Sequence, residues 1–187
     1  MKKLSFTVVA FFWLSVAVMA QSTATHGVDV TINSVVMIRA TNAAAAASPV
    51  NTGISVGSPT SNTPGDVPSV TVTNGNALYL QYTSIKGSVG TPRTIKAALT
   101  TGTVPAGFAI TATAAAPGGT GDTGSSNGSQ TISATPATMI TGIGSGYTGI
   151  AAGNGSRVTY AASISNVASL IAAAATTLTV TYTLSNE

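Results

Sequence analysis

Apolar and polar residues alternate most cleanly near the end of the chain. Over 176–184, Leu178, Val180, Tyr182 and Leu184 interleave with Thr177, Thr179, Thr181 and Thr183. A period of two belongs to a strand with one buried and one wet face, and β-branched and aromatic residues favour the same state. Ordering such a strand costs about 1 to 2 kcal/mol per residue in backbone freedom, so it must dock on a sheet. The pattern recurs at Val28, Val30 and Ile32; at Ile95, Ala97 and Leu99; at Phe108 and Ile110; and at Val158, Tyr160, Ala162 and Ile164. An apolar run, Val35 to Ile38, follows the first of these, with a change of face at Asn33 and Ser34 that reads as a bulge or kink.

Residues 69–83 read as a hairpin whose register follows from its apolar face. A two-residue turn at Asn74 and Gly75 would split that face. A three-residue loop, Asn74-Gly75-Asn76, sets Val72 across from Leu78 and Val70 across from Leu80. Leu78, Leu80 and Tyr82 then point inward, and Tyr79 and Gln81 outward. Before the hairpin a long loop runs to Pro68, with Ile54 and Val56 as a brief strand inside it. Residues 117–129, nearly all Gly, Ser, Thr and Asn, read as a solvent loop and the most mobile internal segment. Helical signals are confined to five alanines at 43–47 and to Val167, Leu170, Ile171 and Ala174 behind an Asn166 or Ser165 cap, a short helix or turn leading into the last strand. Strands at about ten-residue intervals, separated by Gly, Asn and Pro, predict an all-β chain folded as an antiparallel sandwich with long Gly/Ser/Thr-rich loops.

The beginning of the chain has the three parts of a cleavable signal peptide over 1–20: Lys2 and Lys3, an apolar middle from Val8 to Leu14, and small residues before a cut after Ala20. Its apolar run falls short of the ~20 residues that span a bilayer, so no membrane span is expected after cleavage. The expected organisation is a flexible arm over 21–27 and a single sandwich domain over 28–187, secreted or held at the cell surface. Cleavage leaves Arg39, Lys86, Arg93, Lys96 and Arg157 against Asp29, Asp66, Asp122 and Glu187. That near balance, with the basic residues dispersed, argues against nucleic acid as a partner. There is no cysteine, so stability must come from burial, sheet pairing or assembly.

Reactive chemistry is scarce. His26 is the sole histidine and falls in the arm, and the four acids are scattered, so neither a hydrolytic triad nor a carboxylate pair is apparent. No catalytic residue, cofactor or metal site is expected. Residues 144–149 match G-x-G-x-x-G but lack the strand, helix and acid that a dinucleotide site requires, and glycines in a tight bend are the simpler account. Gly118-Gly119-Thr120-Gly121-Asp122 resembles the start of a calcium-binding nonapeptide without a second copy. Of the tyrosines, the phase of the strands places Tyr82, Tyr160 and Tyr182 inside, leaving Tyr79 and Tyr147 as candidate glycan contacts.

The alternating start (Val28, Val30, Ile32) and the closing Leu178-Thr179-Val180-Thr181-Tyr182 strand, in an exported chain rich in Ala, Thr and Gly, resemble pilin-type sandwiches, particularly the spore coat U-like and archaic chaperone–usher subunits. The cysteine pair common in such subunits is absent here. The resemblance implies an Ig-like sandwich that polymerises when a terminal strand of one subunit fills a groove in the next. Independently of it, strand addition needs an alternating apolar segment and an edge without charged residues. Val28, Val30 and Ile32, and Leu178, Val180, Tyr182 and Leu184, are the candidates for that exchange. The expected function is therefore a non-enzymatic structural or adhesive sandwich, extending to a pilus- or fimbria-like subunit that associates with itself or with related extracellular subunits. A monomeric extracellular carbohydrate-binding module is the alternative.

Overall fold

The computed structural model describes residues 26–43, 52–74 and 78–186. The expected signal peptide, the start of the arm, the alanine run beyond Ala43 and the Gly75-Asn76 turn lie outside these residues. A compact body extends over Asn33–Glu187, and a separate unit, Met1–Ile32, precedes it. Of that unit, residues 26–32 are described; they take neither helix nor strand.

The body is built from strands. In chain order they are β1 (Val35–Thr41), β2 (Thr52–Gly57), β3 (Ser69–Asn74), β4 (Leu78–Ile85), β5 (Arg93–Thr101), β6 (Phe108–Ala114), β7 (Thr120–Gly121), β8 (Ser125–Ser126), β9 (Ser129–Thr131), β10 (Ala137–Ile143), β11 (Gly146–Tyr147), β12 (Ser156–Ile164) and β13 (Thr179–Asn186). One sheet runs β1-β4-β12-β6-β9, with β11 also beside β4 and β7 beside β11. A second runs β13-β5-β10-β8, and β2 pairs with β3 alone. All pairings are antiparallel.

The period-two pattern explains which side chains meet. Leu78, Leu80 and Tyr82 of β4, Ile110, Ala112 and Ala114 of β6 and Val158 of β12 are buried from one sheet; Ile95, Ala97 and Leu99 of β5, Met139, Ile140 and Ile143 of β10 and Leu184 of β13 are buried from the other. Two inner faces sharing one apolar core define a β-sandwich. Hydrophobic transfer at roughly 25 cal/mol per Å² of apolar surface is its main support. The second sheet bends at β10, where the register with β5 shifts on both sides of Ile140.

Several expectations are corrected. The strand expected at Val28, Val30 and Ile32 is not formed, and the first strand begins at Val35. The 69–83 hairpin is not formed either: Val72 faces Ile54 and Val70 faces Val56, while β4 pairs with β1 and β12. Both arrangements match aliphatic with aliphatic; in the observed one β1 pairs with β4 continuously from Tyr79 to Ile85, and β12 and β11 hold its other edge. β1 and β2 thus oppose β4 and β3 as one interrupted ribbon. The stretch 117–129 is exposed for the most part, as expected, but it is not all loop: it contributes β7 to one sheet, β8 to the other and the start of β9 to the first again. A single 3₁₀ turn, Val167–Ser169, stands where a short helix or turn was expected, with the Asn166 side chain accepting from the Ala168 N–H at 3.1 Å. None of its residues is buried, so nothing compensates the nucleation of a longer helix.

Candidate functional site

β4 is bordered by two unlike regions, and both bear on function. On one flank lies β1, bonded to β4, and beside β1 runs β13, bonded to β5. No other strand among the described residues pairs with the outer side of β1 or β13. Along β1, Ile38 packs against the core, whereas Val36, two residues away on the same side, is 49% exposed and Ala40 is exposed. Along β13, Leu184 is buried, and Val180, Tyr182 and the preceding Leu178 are half-buried against the core, with Thr179, Thr181 and Thr183 facing out. The candidate residues of the last strand are therefore brought together at an edge open for pairing. Those of the arm stand exposed: Val28 by 73%, Val30 by 78% and Ile32 by 78%.

Polar clamps hold the two sheets together near this edge. Arg93 of β5 is buried, and its guanidinium donates to the carbonyls of Val35 and Ile85 (3.0 Å each), the hydroxyls of Ser84 (2.7 Å) and Ser34 (2.8 Å), and the Asn186 side chain (3.2 Å). A planar fork with five N–H groups can serve that many acceptors at once. Further along, the hydroxyls of Tyr160 and Tyr182 meet at 2.7 Å, joining β12 to β13. Burial pushes the Tyr182 phenol well above its usual range, and Tyr160 beside it adds to the rise. Burial raises Tyr160 too, opposed by the hydrogen bond from Tyr182.

On the other flank of β4, the two glycine-rich motifs of the sequence meet. β7, from the 118–122 motif, pairs with β11, from the 144–149 motif, through Gly121 opposite Gly146 and Thr120 opposite Tyr147. The Asp122 N–H donates to the Ser145 carbonyl (3.0 Å) and the Gly144 N–H to the Asp122 carbonyl (2.9 Å). Here the backbones approach too closely for side chains. At Gly119 (φ +145°) a Cβ would collide with the Tyr147 carbonyl oxygen, and at Gly121 (φ +81°) it would sit 2.5 Å from that of Ser145. The 144–149 stretch is thus part of a sheet and not a phosphate-binding turn ahead of a helix. Asp122 packs on Gly144, and among the described residues no group of three His, Cys, Asp or Glu side chains could hold a metal ion. His26 is exposed in the arm.

Beyond β11 the chain leaves β4 for residues 149–155 and returns as β12. This excursion lies over the outer face of the sheet. It is held by Gln81, which is buried although it points outward: its amide donates to the carbonyls of Ala151 (2.9 Å) and Asn154 (3.1 Å) and accepts from Arg39 Nε (2.9 Å). Between the excursion and β7 is a groove of about 280 Å³ lined by Gly118, Thr120, Tyr147, Thr148 and Asn154, among others. Tyr147, one of the two candidate glycan contacts, is 51% exposed beside it. Tyr79, the other, is half-buried between Thr41 and Arg157 and does not line it. Asn154 was not singled out by the sequence, and Gln81 and Gly118 were read only as an outward strand position and as part of a calcium-like motif. A glutamine at an outward strand position gives no sign of the loop that will cover it.

No protein-family model matches the chain, and neither a curated protein nor a solved structure shows significant similarity to it. Among the described residues no helix is long and apolar enough to cross a membrane.

Proposed function

We propose that this chain is a secreted, non-enzymatic structural subunit that assembles by strand addition, residues 28–32 of one copy pairing with the outer edge of β13 in the next. The observation that carries the reading is the coexistence of an alternating aliphatic segment left exposed and a β13 edge that no strand covers. The strand order supports it. If β1, β4, β12 and β6 are read as A, B, E and D, and β5 and β13 as C and F, with β10 and β8 lying beyond C, an Ig-like reading leaves open the place beside F that strand G would take. A second chain inserted there gains main-chain hydrogen bonds along its length and buries alternate side chains. Val36 and Ala40, exposed on the inward side of β1, are the surface that Val28, Val30 and Ile32 would cover.

The test compares the chain with a variant lacking residues 21–33 by sedimentation velocity and electron microscopy. The full chain should form oligomers or filaments and the shortened one should remain a folded monomer. Because the chain has no cysteine, a Thr31→Cys, Thr181→Cys variant, with both thiols on the outward face of the joined strands, should in addition form intermolecular disulfides under oxidation. Oligomers that persist without residues 21–33, or a full chain that never self-associates, reject the reading.

A further inference from the structure

The groove beside Tyr147 has features that neither the fold nor assembly requires. The other described tyrosines are buried or half-buried, whereas Tyr147 holds its ring at the surface, at the rim of a concavity. None of the lining side chains is charged: Thr120, Thr148 and Asn154 provide the polar groups and glycines the rest. A phosphate or carboxylate would find no cation there, and a purely apolar ligand would strand the amide and hydroxyl groups. A neutral ring with an apolar C–H face and a rim of hydroxyls satisfies both demands, packing on the aromatic ring while exchanging hydrogen bonds with the amide and hydroxyls.

The walls of the groove are fixed in advance. Thr148 is buried, its N–H donating to the Tyr82 carbonyl at 3.0 Å and its hydroxyl accepting from the Tyr82 N–H at 3.0 Å. Gln81 holds the Asn154 carbonyl from beneath. Preorganised walls reduce the ordering that a ligand must oppose. Gly118 adds a separate observation. Its φ lies outside the left-handed region and a Cβ built on it meets nothing within 4 Å, so neither backbone strain nor internal packing demands a glycine. Gly118 nevertheless lines the groove.

We infer that this groove is a binding site for a single neutral sugar ring, with Tyr147 as the stacking platform, Asn154 and Thr120 as hydrogen-bonding partners, and Gly118 as the position that keeps it open. The site requires no second copy. Removal of residues 21–33 leaves it intact, so its failure and that of strand addition are separately visible.

The experiment is an array of neutral and acidic mono- and oligosaccharides probed with the purified chain, followed by calorimetric titration of the best neutral sugar. Binding should be saturable and confined to neutral sugars. Tyr147→Ala should weaken it by about tenfold or more, as loss of a stacked aromatic does, and Gly118→Val should weaken it to a similar degree, with both variants melting as the parent does. Gly118→Ala, a smaller intrusion, should weaken it less than Gly118→Val. No binding to any neutral sugar, binding only to acidic ones, or an affinity unchanged in Tyr147→Ala and Gly118→Val overturns the proposal.

Discussion

The two flanks of β4 are closed by different means. On the side of β7 and β11, backbone lies against backbone, and the glycines there leave no room for a Cβ. On the side of β1, the neighbouring edge at β13 is held to the body by side chains, Arg93 at one place and the Tyr160–Tyr182 pair at another, and its outer strand edge is left without a strand. The first flank leaves no room for side chains between its paired strands; the second leaves the outer edge of β13 without a strand. The lesson is that polar clamps let a sandwich keep an edge open without losing the alignment of its sheets.

The largest effect that separates the flanks is expected at Gly121. Gly121→Val forces a side chain into the Ser145 carbonyl at a positive φ, and should destabilise the chain by about 3 kcal/mol or more. Chemical denaturation measures it, and a loss below about 1 kcal/mol would mean that this flank yields easily. Next comes Arg93→Ala, which leaves several buried acceptors without their donor and should cost about 3 kcal/mol. Arg93→Lys should recover only part, because an ammonium cannot reach all of them at once.

A smaller effect, about 1 kcal/mol, is expected for Tyr182→Phe, which removes the hydroxyl bond between the sheets. A double-mutant cycle with Tyr160→Phe should show that the two losses are not additive. The same pair sets a pH dependence. Tyr82, Tyr160 and Tyr182 all have phenols raised in the folded state by burial, so at high pH the unfolded chain releases their protons first. Their contribution is intact below the unfolded value of about 10 and declines as pH climbs above it. Urea midpoints flat to about pH 9.5 and falling above it are expected, with a shallower fall in the double phenylalanine variant. The smallest effect on stability belongs to the arm: Val30→Asp should leave the denaturation midpoint within about 0.5 kcal/mol of the parent while abolishing self-association in sedimentation.

How much of this was legible in the sequence depends on whether a local pattern has one solution. β5, β6, β12 and β13 follow directly from their alternation, because Ile95, Ile110, Val158 and Leu184 must all turn to the same core. Residues 69–83 had two solutions, since Val70 and Val72 match Leu80 and Leu78 as well as Val56 and Ile54. What distinguishes them is long-range pairing, of β4 with β1 and of β3 with β2, which local matching does not reveal. Glycine carries a similar ambiguity: the letters of 117–129 are those of a flexible linker and also those of strands packed too closely for side chains. The phase of the strands placed Tyr82, Tyr160 and Tyr182 inside and so left Tyr147 as a candidate contact. It could not supply the groove, which depends on β7 meeting β11 and on Gln81 fastening residues 149–155 over the sheet.

The interrupted ribbon of β1–β2 and β3–β4 ends in the turn spanning residues 58–68, whose hydrogen bonds run among its own residues and the strands it joins. Asn62 bonds back to Pro59, and Asp66 to Thr63, with the Ser61 hydroxyl and the Val67 N–H holding the Asp66 carboxyl below its usual range. A turn that is satisfied from within transmits little to the rest of the body. It follows that a foreign peptide spliced between Asn62 and Thr63 should be displayed at the surface while the rest of the body keeps its fold.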